Sequence, residues 1–150
     1  MQKLFVKSII TINAPALKVW DALVNPEQTK KYMFGCETVS EWKAGSTLLW
    51  KGTYEGKDMV FVKGYILEIV PNRILKYSVI DPNATYAASP ENHLHITYEL
   101  TEQGNQTTLT VVQDGFEHAA EGEKRYVEVY NKGEGWNPIL IEIKKMLEKI

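Results

Sequence analysis

The side chains best suited to chemistry here are three histidines, one cysteine and a group of aromatic and amide residues. His93-Leu94-His95 sets two imidazoles two residues apart. In a strand that spacing puts both on one face, as metal ligands on a strand require. Asp114, on the strand read as the neighbour, falls near them on that face. It is the expected solvent face, however, without the shell of outer partners that orients metal-bound imidazoles. Glu99 lies roughly 13 Å along the strand from His95, too far to share an ion. No metal site and no cofactor are therefore assigned. His118 follows the last strand and can titrate near neutrality. It either reaches a cavity mouth as an acid/base or stands in a surface loop. Cys36 has no base near it in sequence and reads as a small apolar residue. The phosphate-loop, dinucleotide, C-x-x-C and G-x-S-x-G signatures are missing.

The elements that must position these groups follow from pattern. Leu4–Ile12 is apolar and β-branched and predicts a first strand. Asn13-Ala14-Pro15 predicts a helix start, with Asn13 as capping residue and proline in the first turn. Asn25-Pro26 ends that helix and opens a second short one to Tyr32. Six strands follow: 37–42, 47–54, 59–70, 74–80, 93–100 and 107–116. Most of the separators are short and rich in Gly, Pro or Asn, so neighbouring strands must be antiparallel. The segment 81–92 reads as a longer polar loop. The last element is a helix with Trp136, Leu140, Ile143, Leu147 and Ile150 on one stripe and Ile139 and Met146 beside it. Pro138 cannot sit inside it without a kink. Either Asn137 caps a fresh start or the helix bends there, after one or two turns around Tyr126–Tyr130.

At 150 residues, a single domain over 1–150 is expected. The 17 basic and 19 acidic residues give net −2, which argues against a nucleic-acid partner. No apolar run approaches the ~20 residues of a membrane span, so no stable membrane insertion is expected. One cysteine excludes an internal disulfide and suits a reducing, cytoplasmic location.

Alternation assigns the sheet's faces. Leu109, Val111 and Gln113 form one inward row; Leu94, Ile96, Tyr98 and Leu100 another; Leu75, Tyr77 and Val79 a third; Leu48 and Trp50 a fourth. Lys76, Ser78, Glu99, Thr108 and Thr110 should face water. Trp50, Tyr77, Tyr98 and Gln113 bring polar atoms inward, where an unpaired group costs ~1–3 kcal/mol. They either line a cavity or stand near strand ends with their polar tips in solvent.

The ordered motifs resemble the START/SRPBCC superfamily, the helix-grip fold, and within it the activator of heat-shock protein 90 ATPase homologue-like branch. They are Asn13-Ala14-Pro15 with Val19-Trp20-Asp21-Ala22-Leu23; Gly45-Ser46-x-Leu48; Gly64 with Glu68-Ile69-Val70-Pro71-x-Arg73-Ile74-Leu75; Thr108-Leu109-Thr110-Val111; and Gly135-Trp136. The fold class implied is α+β: a curved, antiparallel, seven-stranded sheet around a long C-terminal helix, with two short helices after strand one. The resemblance implies a cavity for an apolar or amphipathic small molecule such as a lipid or polyketide, with Trp136 and Tyr130 facing it from the helix side. Trp50, Tyr77, Tyr98, Gln113, Tyr130, Trp136 and Leu140 are the expected ligand-binding set. The alternatives are a cyclase, dehydratase or hydrolase in the same cavity, with Tyr77, Tyr98 or Gln113 orienting substrate and His118 as acid/base, and a chaperone regulator. With 150 residues read as one domain, the chain is expected to lack the extra domain of the true co-chaperone.

Overall fold

In the computed structural model, which describes residues 3–148, β1 (Phe5–Ile12) leads into α1 (Ala16–Val24) and α2 (Pro26–Tyr32). Then come β2 (Glu37–Ser40), β3 (Thr47–Tyr54), β4 (Lys57–Val70), β5 (Ile74–Val79), β6 (Leu94–Gln103) and β7 (Gln106–Asp114). α3 (Gly122–Tyr130) and α4 (Asn137–Leu147) complete the described chain. All pairings are antiparallel, in the order β1-β7-β6-β5-β4-β3-β2. This is the helix-grip architecture that the sequence leads one to expect.

Turn chemistry sets the strand ends. Glu55 and Gly56 both have positive φ, 50° and 80°, the geometry of the two-residue hairpin turn that matches strand twist. β4 therefore begins at Lys57 rather than Met59. β2 stops at Ser40, because Trp42 adopts a left-handed φ of 57°.

Two bulges bend β4. Trp50 pairs with Val62 and Lys51 with Val60, which leaves Phe61 as an extra residue. Ile66 pairs with Tyr77 and Glu68 with Lys76, which leaves Leu67 as another. Bulges raise local twist and bend a strand, so the sheet curls around the helix layer. β4 and β5 also approach closely: a Cβ on Gly64 would lie 1.6 Å from the Ser78 carbonyl oxygen.

The inward rows are buried as alternation predicts. Ser78 departs from its expected solvent position. It is buried, its hydroxyl accepts from the Tyr65 N–H at 3.0 Å, and Ala88 and Pro90 of the 81–92 loop line the same small pocket. That loop covers the outer face locally. His93 departs too: it caps the short turn Pro90–Asn92 instead of opening β6.

The helix starts differ in detail from the sequence reading. Pro15 is the cap residue of α1, and the Ala16 N–H donates to Glu102 Oε1 from β6 at 2.6 Å. A carboxylate at a helix N-terminus suits the helix dipole. Asn25 caps α2 as expected, its side chain accepting from the Glu27 N–H.

The gripped helix is in two pieces. Gly135 (φ 51°) ends the joint between α3 and α4, and a Cβ there would lie 2.8 Å from Val6 Cγ1. Only glycine lets the chain pass β1 this closely in that conformation. The next N–H, of Trp136, donates to Ser8 Oγ on β1 at 3.1 Å. Trp136 is the cap residue of α4, with Pro138 in its first turn, one position earlier than a cap at Asn137. Leu140 and Ile143 are each 1 % exposed, and burying each stabilises by ~1.5–3 kcal/mol. Ile150, the last residue of the expected stripe, lies outside the described residues.

Candidate functional site

A cavity of about 370 Å³ lies between the concave face of the sheet and α4, within the range of small-molecule sites. Its sheet wall is Trp50, Val62, Tyr77, Val79, Ile96 and Gln113. Trp136 and Ile139 of α4 form the opposite wall. Met33, Phe34 and Cys36 of the α2–β2 loop, with Phe61, complete the rim. Phe34 is 90 % exposed yet lines the cavity, so the space opens to solvent at that corner. A smaller cavity of about 230 Å³ shares Gln113, Trp136 and Ile139 with it.

Strand register explains why polar groups meet here. Tyr77 pairs with Ile96, Ile96 with Gln113, and Gln113 with Val6. One rung thus carries Tyr77 and Gln113 on the inner face with Ile96 between them. The Tyr77 and Tyr98 hydroxyls are 2.7 Å apart, and their rings meet edge-on at 5.6 Å. The Tyr98 ring meets Trp136 edge-on at 6.0 Å, and Trp136 Nε1–H donates to Gln113 Oε1 at 2.9 Å. Tyr77, Tyr98, Trp136 and Gln113 therefore form one linked chain of contacts along the cavity floor.

Burial is the main reason the Tyr77 hydroxyl is held well above its ordinary pKa, and the Tyr98 hydroxyl is raised by the same cause. Both stay protonated at neutral pH. Burial also raises the Cys36 thiol, which keeps it in the less nucleophilic form. Among the described residues, no His, Asp, Glu, Lys or Arg lines this cavity.

The expected set is only partly brought together. Trp50, Tyr77, Gln113 and Trp136 line the cavity. Tyr98 is fully buried and is not a lining residue; it touches the lining residues Tyr77, hydroxyl to hydroxyl, and Trp136, edge-on. Leu140 is core, one turn below the lining residue Trp136. Tyr130 lines none of this cavity: it is 48 % exposed and stacks on Tyr126.

Other lining residues escaped the sequence reading. Phe61 and Val62 are consecutive, and regular alternation allows only one of them to face inward. The bulge at Phe61 turns both in, and Gly52 leaves room, since a Cβ there would be 2.9 Å from the Phe61 ring. Phe34 sits at φ 53° in a loop, where no periodicity signals its direction.

The histidines lie elsewhere. His93 Nδ1–H donates to the Ser89 carbonyl at 2.9 Å. His95 Nδ1 is 3.9 Å from Asp114 Oδ1 on the outer face, where the register pairs the two residues. Among the described residues no three His, Cys, Asp or Glu side chains cluster as a metal site would need. The His118 side chain is 79 % exposed beside Glu117 and lines none of this cavity.

Comparison with known proteins places this geometry in context. The family described as "Activator of Hsp90 ATPase homolog 1-like protein" matches residues 13–148. A solution structure from Cytophaga hutchinsonii is 38 % identical, has a TM-score of 0.76, and aligns over 99 % of this chain and 97 % of its own. The Aha1 dimer from Colwellia psychrerythraea is 18 % identical with a TM-score of 0.69, each chain covered to 97 %. CalU16 from Micromonospora echinospora is 18 % identical with a TM-score of 0.65, covering 98 % of this chain and 83 % of its own. At these lower identities the likeness is one of fold. No curated protein matches the chain in sequence.

Proposed function

Because the chain belongs to the activator of Hsp90 ATPase homolog 1-like family, a branch of the START/SRPBCC helix-grip superfamily, we propose that it binds an apolar or amphipathic small molecule between its sheet and α4. Family membership supports a scaffold that holds a ligand or regulates a partner. The observation that favours the ligand is the cavity: about 370 Å³, apolar-walled, with a few polar groups along one side. That is the build of a small-molecule site. Trp50, Tyr77, Gln113 and Trp136 would contact the ligand, and Tyr98 would support Tyr77.

An enzyme in this cavity has less behind it. General acid–base work needs a group within hydrogen-bond reach of the reacting atom, and His118 stands outside. A chaperone regulator would present a broad apolar outer face. Phe5 and Ile9 on β1 are exposed, but β7, β6 and β5 place Thr110, Thr97, Glu99 and Lys76 between them and Leu67 on β4.

A thermal-shift panel of lipids, aromatic polyketides and neutral apolar compounds tests the proposal. A ligand at 100 times its Kd adds ~2.7 kcal/mol, a rise of roughly 5–10 °C in Tm for a chain of this size. A panel in which no compound raises Tm overturns it.

A further inference from the structure

Taking the cavity as a ligand site, we infer that its ligand is uncharged and presents an acceptor oxygen, such as a ketone, ester or amide carbonyl, to unpaired donors on the cavity floor.

The inference comes from counting donors and acceptors. Gln113 Oε1 already accepts from the Trp136 indole N–H, while its Nε2–H₂ is left as a donor. Trp50 Nε1–H is a donor only. Neither nitrogen has a hydrogen-bond partner among the described residues, although Gln113 and Trp50 are 6 % and 4 % exposed. Neither is sealed off, since among the described residues the fully enclosed side-chain polar atom without a partner is Asn72 Oδ1. Both residues line the same cavity. The tyrosine pair adds a third. Two hydroxyls carry two protons, and their mutual bond uses one; the other has no acceptor among the described residues. Either hydroxyl can donate in that bond; when Tyr98 does, the spare proton is on Tyr77, the member of the pair that lines the cavity.

The floor therefore holds two donors that make no hydrogen bond among the described residues, whereas Gln113 Oε1 and one hydroxyl of the tyrosine pair each already accept one. A carbonyl oxygen satisfies one or two donors through its lone pairs. An ammonium would meet donors with donors. A carboxylate would enter a cavity lined by no cation among the described residues, and burying an unpaired charge is far costlier than burying a neutral polar group. A fatty acid or alkylamine is disfavoured wherever its charged end must leave the solvent-open corner at Phe34 for the floor, although its tail suits the walls.

The test is displacement of the neutral fluorophore N-phenyl-1-naphthylamine by a series that shares one chain: undecan-2-one, methyl decanoate, decanoic acid, decylamine and undecane, at pH 7.5. The ketone and ester should bind at least tenfold more tightly than undecane, and the acid and amine more weakly than either. Gln113→Glu keeps an acceptor for Trp136 but removes the amide donor, and should lower the affinity of the ketone relative to undecane tenfold. Tyr77→Phe with Tyr98→Phe removes both hydroxyls together and should narrow the gap between ketone and undecane. An acid or amine binding as tightly as the ketone, or a ketone no tighter than undecane, overturns the inference and leaves an apolar ligand site standing. Failure of every compound, and of the fluorophore itself, would remove the ligand site as well. If a variant does not fold, the ranking on the unaltered chain decides alone.

Discussion

Tyr77 and Tyr98 show how one residue's role depends on its neighbour. Each hydroxyl is buried and each has the other as partner. Removing one hydroxyl strands the other, at ~1–3 kcal/mol, whereas removing both is far less damaging. Urea denaturation of Tyr77→Phe, Tyr98→Phe and the double variant should therefore show a double-variant loss well below the sum of the single losses. Additive losses would mean that the two hydroxyls act separately. His95 gives a pH dependence. Burial, partly opposed by Asp114, holds its pKa below the ordinary 6.5, so the folded chain resists the proton that the unfolded chain accepts. His95 thus contributes stability above about pH 6.5 that is lost as pH falls through its lowered value. Between pH 7.5 and 5.5, His95→Gln should flatten the fall in stability seen for the unaltered chain. At this scale the inward rows were legible because strand alternation is rigid. Phe61 was not, since a bulge shifts the period by one and leaves no mark in composition. Tyr130 has only the resemblance to place it, and no periodicity in the sequence fixes its direction.

Elements are placed by turns, caps and close approaches, and these differ in how openly the sequence states them. Gly, Pro and Asn clusters marked the strand breaks, and Pro138 marked the break in the last helix. The cap of α1 was not readable, since Glu102 arrives from β6, 86 positions away. Nor was the packing of β4 on β5. Gly64 is glycine because the Ser78 carbonyl occupies the place of its Cβ. Gly64→Ala should cost ~3 kcal/mol or more through overpacking that backbone cannot relieve. The same change at Gly56, where nothing lies within 4 Å, brings only the strain of its positive φ and should cost less. Thermal denaturation of the two variants checks the order, and equal losses would contradict the close approach.

For the whole molecule, curvature and partition create the cavity. Bulged β4 bends the sheet, and the Gly135 joint seats Trp136 over β1 and β7, so that walls meet around an opening instead of a filled core. The fold class was legible because the motifs run in order along nearly the whole chain. The size of the opening was not, since volume depends on how far the sheet curls. The central claim is that this opening takes an apolar molecule. Its most direct test is a fluorescence titration with N-phenyl-1-naphthylamine of the unaltered chain and of Ile96→Trp, which fills the cavity between Tyr77 and Gln113. The unaltered chain should bind one equivalent saturably, and the variant, still folded by circular dichroism, should bind none. Saturable binding of equal strength in both, or none in the unaltered chain, would contradict it.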